Sequence, residues 1–215
     1  MAADDPPILL SMRVFLIGFL LCARIGFAAA QANIQHVDFK NFSYPFSGTF
    51  GWPSRLVWLD MVKQEHVRLV NGQALHDSGN GVTSTGLTLE DVQFADLTDS
   101  GGTDAIVVLR YDTGGTQYSN FVYIYSLVVG KPKLLACFHS GDRAASGLYK
   151  VYGQKGKLVV ELFDPRKSEG DCCSTGFIRT RYRWNRRKFE AVGKHEFGTP
   201  KTPTRVPVTV FGTHK

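Results

Sequence analysis

Catalytic signatures, helical periodicity and cysteine are all scarce in this chain, and each scarcity narrows what it is. No G-x-S-x-G elbow precedes a helix, and neither H-E-x-x-H nor a phosphate-cradling G-x-x-x-x-G-K occurs. Serine-hydrolase, zinc-protease and P-loop chemistry therefore lack their usual footholds. Amphipathic helical pattern is nearly absent, the stretch from Leu59 to Val67 being its one weak candidate. Convincing internal repeats are missing too, since Asp112-Thr-Gly-Gly-Thr echoes Ser100-Gly-Gly-Thr only in its turn residues. Cysteine is limited to four residues, Cys22, Cys137, Cys172 and Cys173.

What is present first is an address. Met12-Arg13 precedes an apolar run from Val14 to Leu21, which continues unevenly to Ala28-Ala29-Ala30-Gln31-Ala32. A basic residue, a short apolar core and an A-x-A end mark a secretory signal peptide, here residues 1–32. Asp4, Asp5 and two prolines suit the start of such a leader poorly, so Met12 is the expected first residue. Arg24 interrupts the run, which is too short to span a membrane. Leu21 stands before Cys22 where a lipobox needs a small side chain, which argues against lipidation. The expected location is periplasmic or secreted, with no transmembrane span in the mature chain.

The leader holds two basic residues, Arg13 and Arg24, and two acidic ones, so its loss leaves the formal charge at +6. That charge favours anionic neighbours: lipid head groups, cell-wall polymers or acidic glycans. The exported address, rather than the charge, excludes nucleic acid. Cys137, Cys172 and Cys173 are the disulfide candidates, an odd number for an oxidising compartment. Either Cys137 reaches one of the adjacent pair, or Cys172 and Cys173 bridge each other and leave Cys137 buried or available to a partner.

The strand pattern is centred on residues 89–125. Ala105 to Leu109 is a near-continuous aliphatic run bounded by turn residues, the mark of a strand buried on both faces. Phe121, Tyr123 and Tyr125 alternate with Val122 and Ile124 in a second strand of the same kind. Between Val92 and Ala105 lies Asp96-Leu-Thr98-Asp99-Ser100-Gly101-Gly102-Thr103-Asp104. Oxygen-bearing side chains fall at its first, third, fifth and ninth positions, with glycine after the fifth. Calcium takes six to eight oxygens from such a sharply turning loop, so Asp96, Thr98, Ser100 and Asp104 are the candidate metal ligands. The competing reading is a glycine-rich turn held by Asx hydrogen bonds.

This loop resembles the calcium-coordinating loop of FG-GAP and VCBS-type repeats, and single-copy versions in small bacterial envelope proteins of the LppP/LprE-lipoprotein kind. The resemblance covers roughly residues 89–193, including Tyr182-Arg183-Trp184, which is similar to a Y-x-W strand near the C-terminus of those relatives. It implies a β fold, an envelope location and a calcium site. Thr98 and Ser100 depart from the family pattern, where position five is aspartate.

Three further segments complete the expectation. Residues 33–54 are rich in rings (Phe39, Phe42, Tyr44, Phe46, Phe50, Trp52) and broken by proline and glycine, so they are expected to wrap over the sheet. The His139–Gly147 loop gathers His139, Asp142 and Arg143, and a hydrolase alternative would draw on His139 and Asp142, with Asp96 as a further candidate. Phe177 to Trp184 alternates most clearly, sending Arg179, Arg181 and Arg183 to one face. With Arg186 and Arg187 in the following turn, these five arginines form the candidate anion-binding face. Their competing role is to keep a sheet edge soluble. Beyond residue 193 the chain becomes proline- and threonine-rich, the mark of an extended tail.

The chain is therefore expected to form one all-β domain over residues 33–193, a mostly antiparallel meander making a twisted sandwich or partly closed barrel. The expected function is a non-catalytic exported binding or structural module of a bacterial envelope, with an envelope polymer, lipid head group or envelope protein as partner. No cofactor is expected, apart from calcium at the acidic loop.

Overall fold

Three two-residue turns, each with both residues at positive φ, fold the chain back on itself. They are Asn71-Gly72 (52° and 84°), Val129-Gly130 (50° and 72°) and Lys155-Gly156 (50° and 68°). Such turns match the twist of the strands they join and so set tight antiparallel hairpins. The computed structural model describes residues 33–46, 56–59, 65–77, 84–115, 117–142, 146–168 and 174–200. Expectations for the leader, Phe50, Trp52, Arg143, Cys172, Cys173 and the tail past residue 200 lie outside these residues.

The described residues form twelve strands: β1 (Ser43–Pro45), β2 (Val57–Leu59), β3 (His66–Arg68), β4 (Gln73–Asp77), β5 (Ser84–Ala95), β6 (Asp104–Thr113), β7 (Tyr118–Val128), β8 (Lys131–His139), β9 (Leu148–Gln154), β10 (Lys157–Phe163), β11 (Phe177–Trp184) and β12 (Phe189–Gly198). All pairings between them are antiparallel, in sheets ordered β2-β8-β7-β6-β5-β4, β12-β11-β10-β9 and β1-β3. The fold is all-β, as the alternation implied. Among the described residues no sheet closes into a barrel, and the arrangement is consistent with the expected sandwich. The weak helical candidate after Leu59 becomes strand at both described ends, in β2 and β3. The last strand runs to Gly198, past the tail boundary expected at residue 193, because its pairing with β11 continues to Phe177.

The six-stranded sheet is covered on both faces, which explains why β6 reads as unbroken hydrophobicity. Ile106, Val108, Val122, Ile124 and Phe138 face the four-stranded sheet, meeting Val151, Leu158, Val160 and Phe189. Ala105, Val107, Leu109, Phe121, Tyr123 and Tyr125 face the other way, against Ile34, Phe39, Tyr44 and Phe46 of the N-terminal wrap. Two short 3-10 turns, Ile34–His36 and Phe39–Asn41, start that wrap, each capped by an Asx side chain (Asn33, Asp38). The wrap thus forms a third layer.

The two large sheets are joined where β5 leaves the six-stranded sheet. A Cβ on Gly153 of β9 would lie 2.2 Å from that of Ala95, so only glycine allows this approach. Beside it, the Gln93 side-chain amide donates to the Val151 carbonyl at 3.0 Å.

Candidate functional site

The acidic loop between β5 and β6 turns most of its oxygens on itself. Asp96 accepts from the Thr98 and Gly101 backbone N–H groups, at 3.3 and 3.1 Å. Asp104 is fully buried, and its Oδ2 accepts from the Leu97 N–H (2.9 Å) and the Thr98 hydroxyl (3.2 Å). The Thr98 hydroxyl also lies 2.9 Å from that of Ser100, which in turn accepts from the Gly102 N–H at 3.3 Å. Asp104 Oδ1 is buried without a partner. Asp99 packs over the β9–β10 turn: a Cβ on Gly156 would sit 2.4 Å from its Oδ1. The four predicted ligands do come together, but as a hydrogen-bonded turn. Among the described residues no group of three or more His, Cys, Asp or Glu side chains is placed to hold a metal.

The predicted arginine face divides in two. Arg179 is committed to β10 and β12: its Nε donates to Glu161 at 2.7 Å, and its Nη1 to Glu196 at 3.1 Å. Glu161 is nearly fully buried and also accepts from the Tyr152 hydroxyl at 3.1 Å. Arg181 pairs with Glu196 as well. The hydrogen bond to Glu161, followed by that to Glu196, raises the Arg179 pKa, and the two arginines hold Glu196 below the usual carboxylate range.

Arg183, Arg186 and Arg187 stand differently. All three are exposed, and among the described residues none forms an ion pair. They cluster where β11 turns into β12, a turn held by Asn185, whose side chain accepts from the Arg187 and Lys188 N–H groups. Arg186 sits there at φ 75°. Lys188 in the same turn reaches Glu190 at 3.3 Å.

His139, the predicted hydrolase residue, ends β8 inside the core. Its ring stacks on Phe121 at 4.3 Å between centroids, and its Nε2 lies 2.8 Å from Ser119 Oγ. Ser119 is 1 % and His139 4 % exposed. Burial lowers the His139 pKa to about 4, which keeps the imidazole neutral. No local pattern marks this serine-histidine pair, because the β7–β8 pairing brings together two residues twenty positions apart. Asp142 follows three residues later, half-buried.

Two other features escaped the sequence. At a bulge in β5, Glu90 accepts a 2.6 Å hydrogen bond from Asn120. Although Glu90 as a residue is exposed, partial burial of its carboxyl raises its pKa, with the Asn120 amide opposing. The second feature is a half-open cleft beside Tyr125, between the β1–β3 ribbon and β8, whose lining mixes apolar side chains with Ser43 and His66. Cys137, the one disulfide candidate that is described, is buried and free, and burial pushes its thiol pKa up.

Among the described residues no helix is long and apolar enough to cross a membrane. Compared with known proteins, the chain matches no family model, and no curated protein and no solved structure matches it either.

Proposed function

We propose that this chain is a non-catalytic exported binding or structural module of a bacterial envelope, and that its β11–β12 turn engages an anionic wall polymer or lipid head group. The observation that carries the reading is the split among the arginines. Arg179 and Arg181 are spent on Glu161 and Glu196, whereas Arg183, Arg186 and Arg187 present their guanidinium forks to solvent. Exposed, unpaired arginines next to one another pair bidentately with phosphate or carboxylate at little desolvation cost.

The buried Ser119–His139 pair supports the absence of catalysis. A nucleophile needs its base within hydrogen-bond reach and also needs substrate access. The first condition is met at 2.8 Å; the second is not, since Ser119 and His139 are both buried. Loop 96–104 acts in this reading as a clasp between the sheets, most of its oxygens engaged within the loop itself.

Co-sedimentation with vesicles tests the reading. The intact protein should pellet with phosphatidylglycerol vesicles and not with phosphatidylcholine ones, and release as ionic strength rises beyond about 0.15 M, where screening is strong. Equal pelleting with both vesicles would reject it.

A further inference from the structure

The β7–β8 hairpin ends in a side chain that its own backbone disfavours. Val129 stands at φ 50° and is 95 % exposed, and Val128 before it is 45 % exposed. A residue branched at Cβ takes this left-handed conformation with strain, whereas Asn takes it readily, as Asn71 does in the turn before β4. A strained aliphatic side chain at a tip in water serves neither the turn nor the core, and such strain gathers at functional sites. Behind the tip, Lys131 and Lys133 of β8 are exposed and form no ion pair among the described residues.

Strand pairing sets this tip at the same end of the molecule as the other basic turns. Tyr125 pairs with Ala105, and Asp104 with Ala95, so loop 96–104 lies at the end where the β7–β8 hairpin turns. Asp99 of that loop packs over Gly156 in the β9–β10 turn, next to exposed Lys155. Leu158 pairs with Tyr182, which brings the β9–β10 turn alongside the β11–β12 turn with Arg183, Arg186 and Arg187. Against this row of cations the 96–104 loop sets exposed Asp99 and half-buried Asp96, the latter engaged by the loop's own N–H groups.

We propose, resting on the anion-binding reading of the β11–β12 turn, that this whole end docks on an anionic lipid bilayer. Val128 and Val129 enter the head-group boundary, while Lys131 and Lys133 meet the lipid phosphates behind them. The combination of charge and apolar tip selects the lipid over the wall polymer. A chain of phosphates or carboxylates gives two valines nothing to enter. A bilayer holds an apolar boundary beneath its charges, and interfacial binding grows with both the apolar area buried and the attraction to anionic lipid.

The test is co-sedimentation of the intact protein and of Val129→Asn with phosphatidylglycerol vesicles at one salt concentration. Asn suits the turn better than Val, so the variant should melt no lower than the parent. It should nonetheless bind the vesicles about tenfold more weakly, the loss of one inserted aliphatic side chain. Lys131→Gln/Lys133→Gln, which leaves both valines in place, should also bind about tenfold more weakly. Soluble long-chain polyphosphate should bind Val129→Asn and the parent alike, since it has no apolar boundary. Parent-like pelleting of Val129→Asn would overturn the proposal and leave the anion-binding turn standing; release of both proteins by polyphosphate would then identify a wall polymer as the partner. Equal pelleting of the parent with phosphatidylcholine and phosphatidylglycerol would overturn the anion-binding reading along with it.

Discussion

The hydroxyl of Tyr125 and the imidazole of His139 are both buried, and each makes a stability prediction that a surface residue could not. Removing a buried hydroxyl that has a partner costs a hydrogen bond and leaves the other group unsatisfied, about 1–2 kcal/mol. Removing one that has no partner costs nothing of that kind. Denaturant unfolding should therefore show Tyr44→Phe and Tyr123→Phe destabilised by about that amount, with Tyr125→Phe unchanged or more stable. A Tyr125→Phe loss equal to the other two would mean that its hydroxyl is satisfied. For His139 the sign follows from linkage. Its pKa is about 4 when folded against 6.5 as the unperturbed value, so the unfolded chain binds the proton more readily. This contribution is complete above pH 6.5 and is lost as pH falls from 6.5 toward 4. The loss amounts to about 3 kcal/mol over that window. His139→Leu should flatten the pH dependence of stability there; an unchanged profile would show that another group carries it.

Among the elements, the stretch from β5 to β7 shows what the sequence could and could not disclose. Ala105 to Leu109 is legible as a doubly buried strand because hydrophobicity on both faces needs no long-range information. The Asn71-Gly72 and Lys155-Gly156 turns are legible for the same reason: their φ preferences are local. The clear alternation of Phe177 to Trp184 likewise places Tyr182 and Trp184 against the core. The ion pairs of Arg179 and Arg181 were not legible. Their partners lie on neighbouring strands, in a register fixed by hairpin turns and by a shift between Arg179 and Arg181. The loop of residues 96–104 is intermediate, since its oxygens are visible in the sequence but their hydrogen bonds are not. Because Asp104 accepts from both Leu97 and Thr98 while buried, Asp104→Ala should cost about 2–3 kcal/mol, measured by urea unfolding. Calcium should leave the melting temperature unchanged, since a cation would have to displace these bonds. A rise of several degrees that chelator reverses would instead make the loop a cation site.

For the molecule as a whole, three layers divide the work. The N-terminal wrap buries one face of the six-stranded sheet and the four-stranded sheet buries the other, which leaves the β11–β12 end of the smaller sheet to carry exposed charge. Cross-strand ion pairs hold that sheet together, so its arginines serve two separate purposes, and variants can separate them. Arg179→Gln/Arg181→Gln should unfold more easily, because Glu161 stays buried with fewer donors, yet bind anionic surfaces much as the parent does. Arg183→Gln/Arg186→Gln/Arg187→Gln should keep its stability, since these side chains make no ion pair among the described residues. The most direct test is to co-sediment both variants and the parent with phosphatidylglycerol vesicles at one salt concentration. Pelleting is expected to survive the first pair of substitutions and to fall at least tenfold with the second set. Loss of binding in the first variant with retention in the second would contradict it.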